Sequence, residues 1–221
     1  MYKELKKRIL TSIFLLSLAI LTIILNEIIF AFSIFIVFII CFQEWSDINV
    51  PYFFIKRKKK GFVQIKILGL IYLFIFFLSS LILYTNISAV FFLFVLFVCS
   101  SSDIGGYFFG KLIGGKKLTK ISPNKTISGS IGSFIFSTFP LFFFNYLNLI
   151  DLSFSLKNLL FCIIISLFSQ TGDLLISHFK RLNKVKDTGS ILPGHGGLLD
   201  RVDGMIFAIP GVYILKVTQI F

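Results

Sequence analysis

Aspartate, lysine and arginine side chains are concentrated between residues 173 and 203 of a chain that is otherwise mostly apolar. Apart from histidine, the ionisable residues of this stretch are Asp173, Lys180, Arg181, Lys184, Lys186, Asp187, Asp200, Arg201 and Asp203. Ionisable groups at the edge of a bilayer are costly, so a functional site is the default interpretation. This mixture of charges predicts a site at the membrane surface that binds a multiply anionic ligand together with a metal ion.

The spacing of three carboxylates is typical of a Mg²⁺ site. Asp200 and Asp203 are three positions apart and share one face if the chain is already helical there. Asp173 lies in the preceding apolar segment, and carboxylate oxygens are the ligands that Mg²⁺ prefers. The sequence therefore predicts these three as metal ligands. It leaves open that Asp173 instead pairs with a lysine or arginine for structural reasons.

A second polar segment runs from Asp103 to Ser130. Its glycines permit tight turns and close approach of a ligand; the ones we consider are Gly110, Gly114 and Gly115. Ser122, Lys125 and Thr126 lie just before an apolar run, and the N-terminus of a helix there would favour phosphate. The alternative is a glycine-rich connector with a Ser/Thr helix cap, and the spacing leaves both interpretations open.

Charge neutralisation and positioning are the main requirements of phosphoryl or nucleotidyl transfer. Lysine and arginine can screen phosphate oxygens while carboxylates hold the metal, and no serine or cysteine nucleophile triad is evident. His195 either contacts phosphate or braces its glycine-rich turn, and His178 is expected to be a packed residue. If the nucleophile is already an anionic phosphate, no histidine base is required.

The composition indicates an all-α, polytopic helical membrane protein. Of 221 residues, 56% are hydrophobic and 14% charged, whereas soluble domains are about a quarter charged. Several apolar runs reach the roughly 20 residues needed to cross hydrocarbon. We predict about seven spans in a single integral-membrane domain, at residues 9–26, 28–43, 65–84, 87–107, 127–146, 158–178 and 198–219. We expect no cleavable signal peptide, because no small-residue cleavage site follows the basic N-terminus.

The distribution of basic residues predicts the topology. With these spans, all of the 22 lysines and arginines except Lys157 and Lys216 fall on one side. The positive-inside rule makes that side cytoplasmic, with the N-terminus inside and the C-terminus outside. The net charge of +12 is confined to short loops, so we do not expect nucleic-acid binding. Cys41, Cys99 and Cys162 show no paired spacing and are predicted to be small core or lipid-facing residues.

The charged stretch resembles the signature of the CDP-diacylglycerol synthase (phosphatidate cytidylyltransferase) family. The matching positions are Ser177, Lys180, Arg181, Lys186, Asp187, Gly189, Leu192, Pro193, His195, Gly196, Gly197, Asp200, Arg201 and Asp203. A second family segment is similar at Asp103, Tyr107, Gly110, Lys117, Leu118, Ser122, Pro123, Lys125, Thr126 and Gly129. The resemblance covers residues 99–210, which we take as the catalytic core behind N-terminal spans in residues 1–98. Asn124, Ser128 and Ile176 depart from the family pattern.

This resemblance implies a Mg²⁺-dependent reaction of CTP with phosphatidic acid that gives CDP-diacylglycerol and diphosphate, in an enzyme of phospholipid biosynthesis. The implied catalytic residues are Asp173, Lys186, Asp187, Asp200 and Asp203. The implied substrate-binding residues are Asp103, Ser122, Lys125, Thr126, Lys180, Arg181, His195, Gly196, Gly197 and Arg201. The resemblance also implies a bacterial-type inner (cytoplasmic) membrane with the site facing the cytoplasm. It leaves open a second, monovalent cation and a homodimer.

Three other functions remain as alternatives. A CTP-dependent kinase of a polyprenol or phytol, or a synthase using an archaeal-type ether lipid, would differ in the acceptor, which the apolar segments do not reveal. An ion-coupled transporter would place its carboxylates near the middle of the bilayer. The predicted spans instead place the site acids towards the cytoplasmic side, which favours chemistry at the membrane surface.

Overall fold

The structure is a computed structural model that describes residues 15, 17–55, 59–119, 121–192 and 196–221, with all side chains in these ranges except those of residues 49–62. Seven α-helices have both ends in this part of the chain. They are α1 (Glu27–Ile55), α2 (Lys59–Ile82), α3 (Ala89–Leu112), α4 (Ile127–Ser137), α5 (Phe139–Tyr146), α6 (Leu156–Leu182) and α7 (Leu199–Val217). Residues 17–25 are also helical, and a π-helical turn, Leu83–Ile87, follows α2. The described residues form only two isolated β-bridges and no strand, so the all-α prediction is confirmed.

Five segments of the described chain are long and apolar enough to cross a membrane. They are Glu27–Ile48, Val63–Ile87, Ala89–Leu112, Ile127–Tyr146 and Leu156–Leu182. Each carries large apolar side chains on its surface, including Ile28, Ile71 and Phe139 at 76%, 52% and 67% exposure. Such surfaces are stable in hydrocarbon and costly in water. The chain is therefore an integral membrane protein.

Two of the predicted spans lie outside these five segments. In the span at 9–26, residues 9–14 and 16 lie outside the described residues, and residues 17–25 are helical. The span at 198–219 does form a helix, α7, but that helix is not among the five. Its sequence contains the charged residues Asp200, Arg201, Asp203 and Lys216. The cytoplasmic location of the N-terminus stays a prediction.

Three of the helices begin with a side chain that caps the helix N-terminus. Asn26 Oδ1 accepts a hydrogen bond of 3.1 Å from the Ile28 N–H at the start of α1. Ser88 Oγ accepts from the Phe91 N–H of α3 at 2.9 Å, and Thr126 Oγ1 accepts from the Gly129 N–H of α4 at 3.1 Å. Each cap satisfies an N–H that lacks a partner within its helix. The helix break at Asn26 thus lies at the boundary between the predicted spans 9–26 and 28–43.

The predicted span at 127–146 is two helices, α4 and α5, rather than one. Pro140 lies in the first turn of α5 and has no N–H to donate to the carbonyl one turn back. The Thr138 N–H bonds to the Ile135 carbonyl oxygen at 3.3 Å, which tightens the end of α4. A proline is tolerated in the first turn of a helix, so α5 begins there.

The described residues form two compact units, one within Met1–Leu81 and Phe179–Val202 and the other within Ile82–His178 and Asp203–Phe221. In the first unit, Trp45 of α1 packs on α2. Its Nε1 donates to the Ile65 carbonyl oxygen at 3.1 Å, and Gly69 leaves the space that its ring occupies. The Trp45 ring also contacts the Phe179 ring, with centroids 4.7 Å apart. This packing supports the residue before Trp45, Glu44.

In the second unit, α3 and α4 approach closely through glycines. A Cβ on Gly105 would lie 2.5 Å from the Gly132 carbonyl oxygen, and a Cβ on Gly129 would lie 2.8 Å from that of Gly106. Small residues allow such close packing of helices in membranes. Within this unit, Ser102 Oγ lies 2.7 Å from Ser166 Oγ, so hydroxyl groups in apolar surroundings satisfy each other. This packing fixes the polar segment between α3 and α4.

Candidate active site

Asp200 is the most fully coordinated of the predicted carboxylates. It lies in the first turn of α7, in the first unit. Its Oδ1 accepts a charge-assisted hydrogen bond from Lys180 Nζ at 2.7 Å. Its Oδ2 accepts from the backbone N–H of Thr188 at 2.7 Å and of Gly197 at 3.1 Å. One side chain of α6 and two backbone N–H groups of the loop between α6 and α7 therefore converge on one carboxylate of α7.

The surroundings of Asp200 hold it in the ionised form. Burial on its own would raise the pKa of Asp200. The hydrogen bond and charge of Lys180 and the N–H groups of Thr188 and Gly197 outweigh burial and lower this pKa below its ordinary value. The start of a helix also favours a negative charge. The ionised carboxylate is the form that binds a metal ion.

Glu44 is a part of this site that the sequence analysis did not identify. It belongs to α1, is only 3% exposed, and accepts three hydrogen bonds. The donors are the Thr188 hydroxyl and the N–H groups of Leu198 and Leu199, at 3.0, 2.9 and 2.8 Å. The only signal in the sequence is an acidic residue directly after an apolar segment. The predicted span 28–43 ends just before it.

Gly196 and Gly197 of the loop lie so close to the site carboxylates that a side chain at either position would be crowded. Gly196 has a φ of +83°, and a Cβ on it would lie 3.1 Å from both Asp187 Cβ and Asp200 Oδ2. A Cβ on Gly197 would lie 2.5 Å from Glu44 Oε2. These two glycines therefore let the loop close over the carboxylates. His195 lies outside the described residues, so its role stays a prediction.

The remaining predicted residues of the first unit are exposed. They are Arg181, Lys186, Asp187 and Arg201. Exposed cations can reach phosphate groups without the cost of burial. The structure thus gives the charged loop an inner part, Asp200 with Lys180, and an outer part of three basic side chains and the Asp187 carboxylate. The role of each outer residue stays a prediction.

In the second unit, Asp173 of α6 forms an ion pair with Lys125. Asp173 Oδ1 also accepts a hydrogen bond of 3.3 Å from the Ser177 hydroxyl, one turn along α6. Pairing of Asp173 with a basic residue is the structural alternative left open by the sequence. It also brings together one residue from each of the two predicted segments. Pairing and metal binding are compatible, because a cation can replace an ammonium group.

The segment between α3 and α4 is a folded loop. Leu118 N–H donates to the Lys125 carbonyl oxygen at 2.8 Å, and Ile127 N–H to that of Lys116 at 3.0 Å. Gly114 and Gly115 have φ values of +63° and +99°, which glycine adopts without strain. The loop places Lys125 immediately before the cap residue of α4, Thr126. The Ser/Thr-cap interpretation is thus confirmed for Thr126, and phosphate binding there stays a prediction.

Three further predicted residues lie close to these elements. Ser122 is in the turn before Lys125, where its N–H bonds to Thr119 Oγ1 at 3.2 Å. Asp103 is an exposed residue of α3. Asp203 lies in α7, as the predicted helical spacing from Asp200 requires, and its Oδ1 accepts from the Gly204 N–H at 2.8 Å. Roles in substrate or metal binding stay predictions for all three.

Asp173, in the second unit, and Asp200, in the first, each have a side chain whose chemistry fits Mg²⁺. Both offer carboxylate oxygens, the ligands Mg²⁺ favours. In the described part of the chain, no group of three or more His, Cys, Asp or Glu side chains is gathered as a metal site. Each of the two carboxylates is instead neutralised by a lysine, Lys125 or Lys180. A bound cation would take over that neutralisation and release a lysine.

Comparison with known proteins identifies the family. The sequence model of the Cytidylyltransferase family matches residues 50–218, which include α6, α7 and the loops that carry the site. The chain belongs to this family. The match leaves out Glu44, which lies upstream of residue 50.

Relatives with assigned names match slightly more than half of the chain. A phosphatidate cytidylyltransferase of Staphylococcus saprophyticus is 46% identical over 128 residues, 57% of this chain and 48% of that protein. Proteins of the same name from Staphylococcus haemolyticus and Bacillus subtilis are 49% and 42% identical, each over 52% of this chain and over 45% and 43% of their own lengths. The chain thus spans about half the length of the relatives it matches.

Proposed function

We propose that the protein is a phosphatidate cytidylyltransferase that converts CTP and phosphatidic acid into CDP-diacylglycerol and diphosphate. The observation that carries this proposal is the Asp200 carboxylate, held between Lys180 and two backbone N–H groups within the segment that resembles the family signature. Membership of the cytidylyltransferase family and the names of the relatives support the same reaction. The apolar helices suit an enzyme whose acceptor is a lipid.

In this reaction an oxygen of the lipid phosphate attacks the α-phosphorus of CTP. A new P–O bond forms, the bond from the α-phosphorus to the bridging oxygen breaks, and diphosphate leaves with that electron pair. The attacking oxygen is already anionic, so the chain need not supply a base. Its task is to align the two phosphates and to balance their charge.

The basic residues can provide that balance. Lys125 and Lys180 are each held beside an aspartate and become available when a cation neutralises the carboxylate. Asp173 and Asp200, with Asp203, would hold Mg²⁺, which when bound supplies charge neutralisation on the phosphate oxygens. Arg181, Lys186 and Arg201 are exposed and can contact the triphosphate or the lipid headgroup. Residues 196–197 close over Asp200 and can exclude water from it.

The location of the reaction follows from the charge distribution. The loops that carry the site are basic, so the positive-inside rule favours a cytoplasmic site, where CTP is available. The bacterial relatives support the inner membrane. A homodimer and a second, monovalent cation stay predictions.

The decisive experiment follows the label of [α-³²P]CTP into lipid with purified protein, phosphatidic acid and Mg²⁺. We expect labelled lipid that is lost on chelation of Mg²⁺ and in Asp200→Asn, and that is kept in Asp47→Asn, which alters an exposed carboxylate of α1. A parallel reaction with [γ-³²P]CTP and a polyprenol tests the kinase alternative. Transfer only in the second reaction, or in neither, would contradict the proposed function.

A further inference from the structure

Glu44 is a buried carboxylate towards the end of a segment long and apolar enough to cross a membrane, Glu27–Ile48. An acidic side chain in such a place is costly unless its oxygens are satisfied. Both are: Oε1 accepts from the Leu198 N–H, and Oε2 from the Leu199 N–H and the Thr188 hydroxyl. All four residues lie in the first unit. The Glu44 side chain is therefore fixed by hydrogen bonds to the α6–α7 loop and the start of α7.

Two of these donors are backbone groups at the start of α7. The first N–H groups of a helix have no partner within it and are usually capped by a Ser, Thr, Asp or Asn just before it. Here the residues before α7 are Gly197 and Leu198, which have no capping side chain. Glu44 supplies the acceptor instead, from 154 and 155 positions away in the sequence. The position of the first turn of α7 thus depends on α1.

Thr188 connects Glu44 with Asp200. Its hydroxyl donates to Glu44 Oε2 at 3.0 Å, and its backbone N–H donates to Asp200 Oδ2 at 2.7 Å. Thr188 itself is only 5% exposed. A displacement of Glu44 would therefore move both the helix turn that carries Asp200 and one of the donors to its carboxylate.

Two glycines of the loop, Gly189 and Gly197, leave the space that the Glu44 carboxylate occupies. A Cβ on Gly189 would lie 2.6 Å from Glu44 Oε1, and a Cβ on Gly197 would lie 2.5 Å from Oε2. Real Cβ atoms do not approach this closely. The loop therefore lacks side chains at the two points where the carboxylate enters it.

We propose that Glu44 is a positioning residue that holds Asp200 in place for the reaction. It acts through Thr188 and the first turn of α7 and does not contact substrate. This inference rests on the proposed function. It assigns a role to a residue upstream of the region that matches the family, residues 50–218.

The first test variant is Glu44→Gln, which keeps the size of the side chain. Its amide has one oxygen, so its NH₂ group must face either the Leu198 N–H or the donors on the other side. Asp47→Asn is the matched control, because it makes the same chemical change one turn along α1 on an exposed residue. Thr188→Val and Thr188→Ser form a second pair, of which only the serine keeps the hydroxyl.

Two measurements are made on each variant. The first is a kinetic measurement, which gives kcat and, separately, the Mg²⁺ concentration at half the maximal rate. The second, which needs no activity, is amide hydrogen exchange at Thr188 and residues 197–199, with α2 as the internal reference. We expect Glu44→Gln to lower kcat or Mg²⁺ affinity by about 10- to 100-fold and to speed exchange at these amides but not in α2. Thr188→Val should do the same to a smaller extent, Thr188→Ser should be less affected than Thr188→Val, and Asp47→Asn should match the wild type.

Full turnover with an unchanged Mg²⁺ requirement in Glu44→Gln, or unchanged exchange at these amides, overturns the inference. If Glu44→Gln does not fold, the Thr188 pair decides by the same criteria. If the wild type makes no CDP-diacylglycerol, the proposed function is refuted independently of the role of Glu44. Amide exchange is then the measurement that tests the role of Glu44. Local acceleration would support the hydrogen-bonded route from Glu44 to Asp200, and its absence would refute it.

Discussion

The Lys180 ammonium group lies 2.7 Å from Asp200 Oδ1, while both donors to Oδ2 are backbone N–H groups. The two side chains are 13% and 6% exposed, so the pair is largely shielded from water. One oxygen of Asp200 is thus fixed by the loop, and the other is held by a long, mobile side chain. A cation that binds Asp200 would displace Lys180 rather than the loop.

Asp200→Asn should remove CDP-diacylglycerol synthesis while the protein still folds. If the asparagine oxygen accepts from the loop, its NH₂ group faces the Lys180 ammonium, and donor then opposes donor. We expect activity to fall about 100-fold or more and the loss of a charge-assisted hydrogen bond to cost about 1.5–3 kcal/mol. Label transfer and thermal unfolding in detergent measure the two effects. Retained activity would show that Asp200 is not a metal ligand.

The contribution of the Asp200 carboxylate to the free energy of unfolding should depend on pH only in acidic solution. Burial opposes ionisation, but Lys180 and the two N–H groups lower the pKa of Asp200 below its usual 3.8. A lowered pKa means that the stabilisation is complete above the usual value and is lost as pH falls through the folded-state value. The Tm difference between wild type and Asp200→Asn should be constant between about pH 5 and 7 and shrink below about pH 4. A difference that instead grows on acidification would show that this pKa is raised.

The sequence predicted the residues of this site better than their partners. Asp200 and Lys180 lie in one charged stretch, so their pairing could be expected from composition and from the family pattern. Glu44 could not, because its partners are backbone N–H groups 154 and 155 positions away, and backbone donors leave no trace in a sequence. A cap supplied by another helix is a tertiary feature.

The same limit applies to the helices. Hydropathy predicted the five apolar segments, since length and composition determine them. It did not predict the break before Pro140, because a proline inside an apolar run either kinks a helix or starts a new one, and neighbouring packing decides. For Gly106 and Gly129, composition alone could not separate packing of α3 on α4 from ligand binding.

Exchange of the charges of Lys125 and Asp173 separates the structural role of this pair from its chemical role. The side chains are 28% and 29% exposed, so each single reversal should cost only about 1 kcal/mol or less. The double variant Lys125→Asp/Asp173→Lys restores an opposite-charge pair and should recover the Tm. It should not recover label transfer, because the proposed phosphate-binding cation and the proposed metal-binding anion have changed places.

Recovery of both Tm and turnover in the double variant would assign the pair a structural role only. The exposed lysine of the same loop, Lys116, provides the control, since Lys116→Asp makes the same change in charge without breaking the pair. That control variant should keep the wild-type Tm. Comparison at low and high salt then separates the pair from the general charge of the loop, because screening weakens exposed interactions.

Lys184→Gly should stabilise the end of α6, the helix that carries Lys180. Lys184 has a φ of +58°, and the Val185 N–H bonds back to the Lys180 carbonyl oxygen at 3.0 Å, which is the pattern of a helix that ends in a left-handed residue. Glycine adopts this conformation without the cost of a Cβ, so we expect a gain of about 1 kcal/mol, or about 2–4 °C in Tm. Lys184→Ala removes the same charge but keeps the Cβ, and should gain nothing. Equal Tm values for the glycine and alanine variants would attribute any change to charge rather than to the backbone.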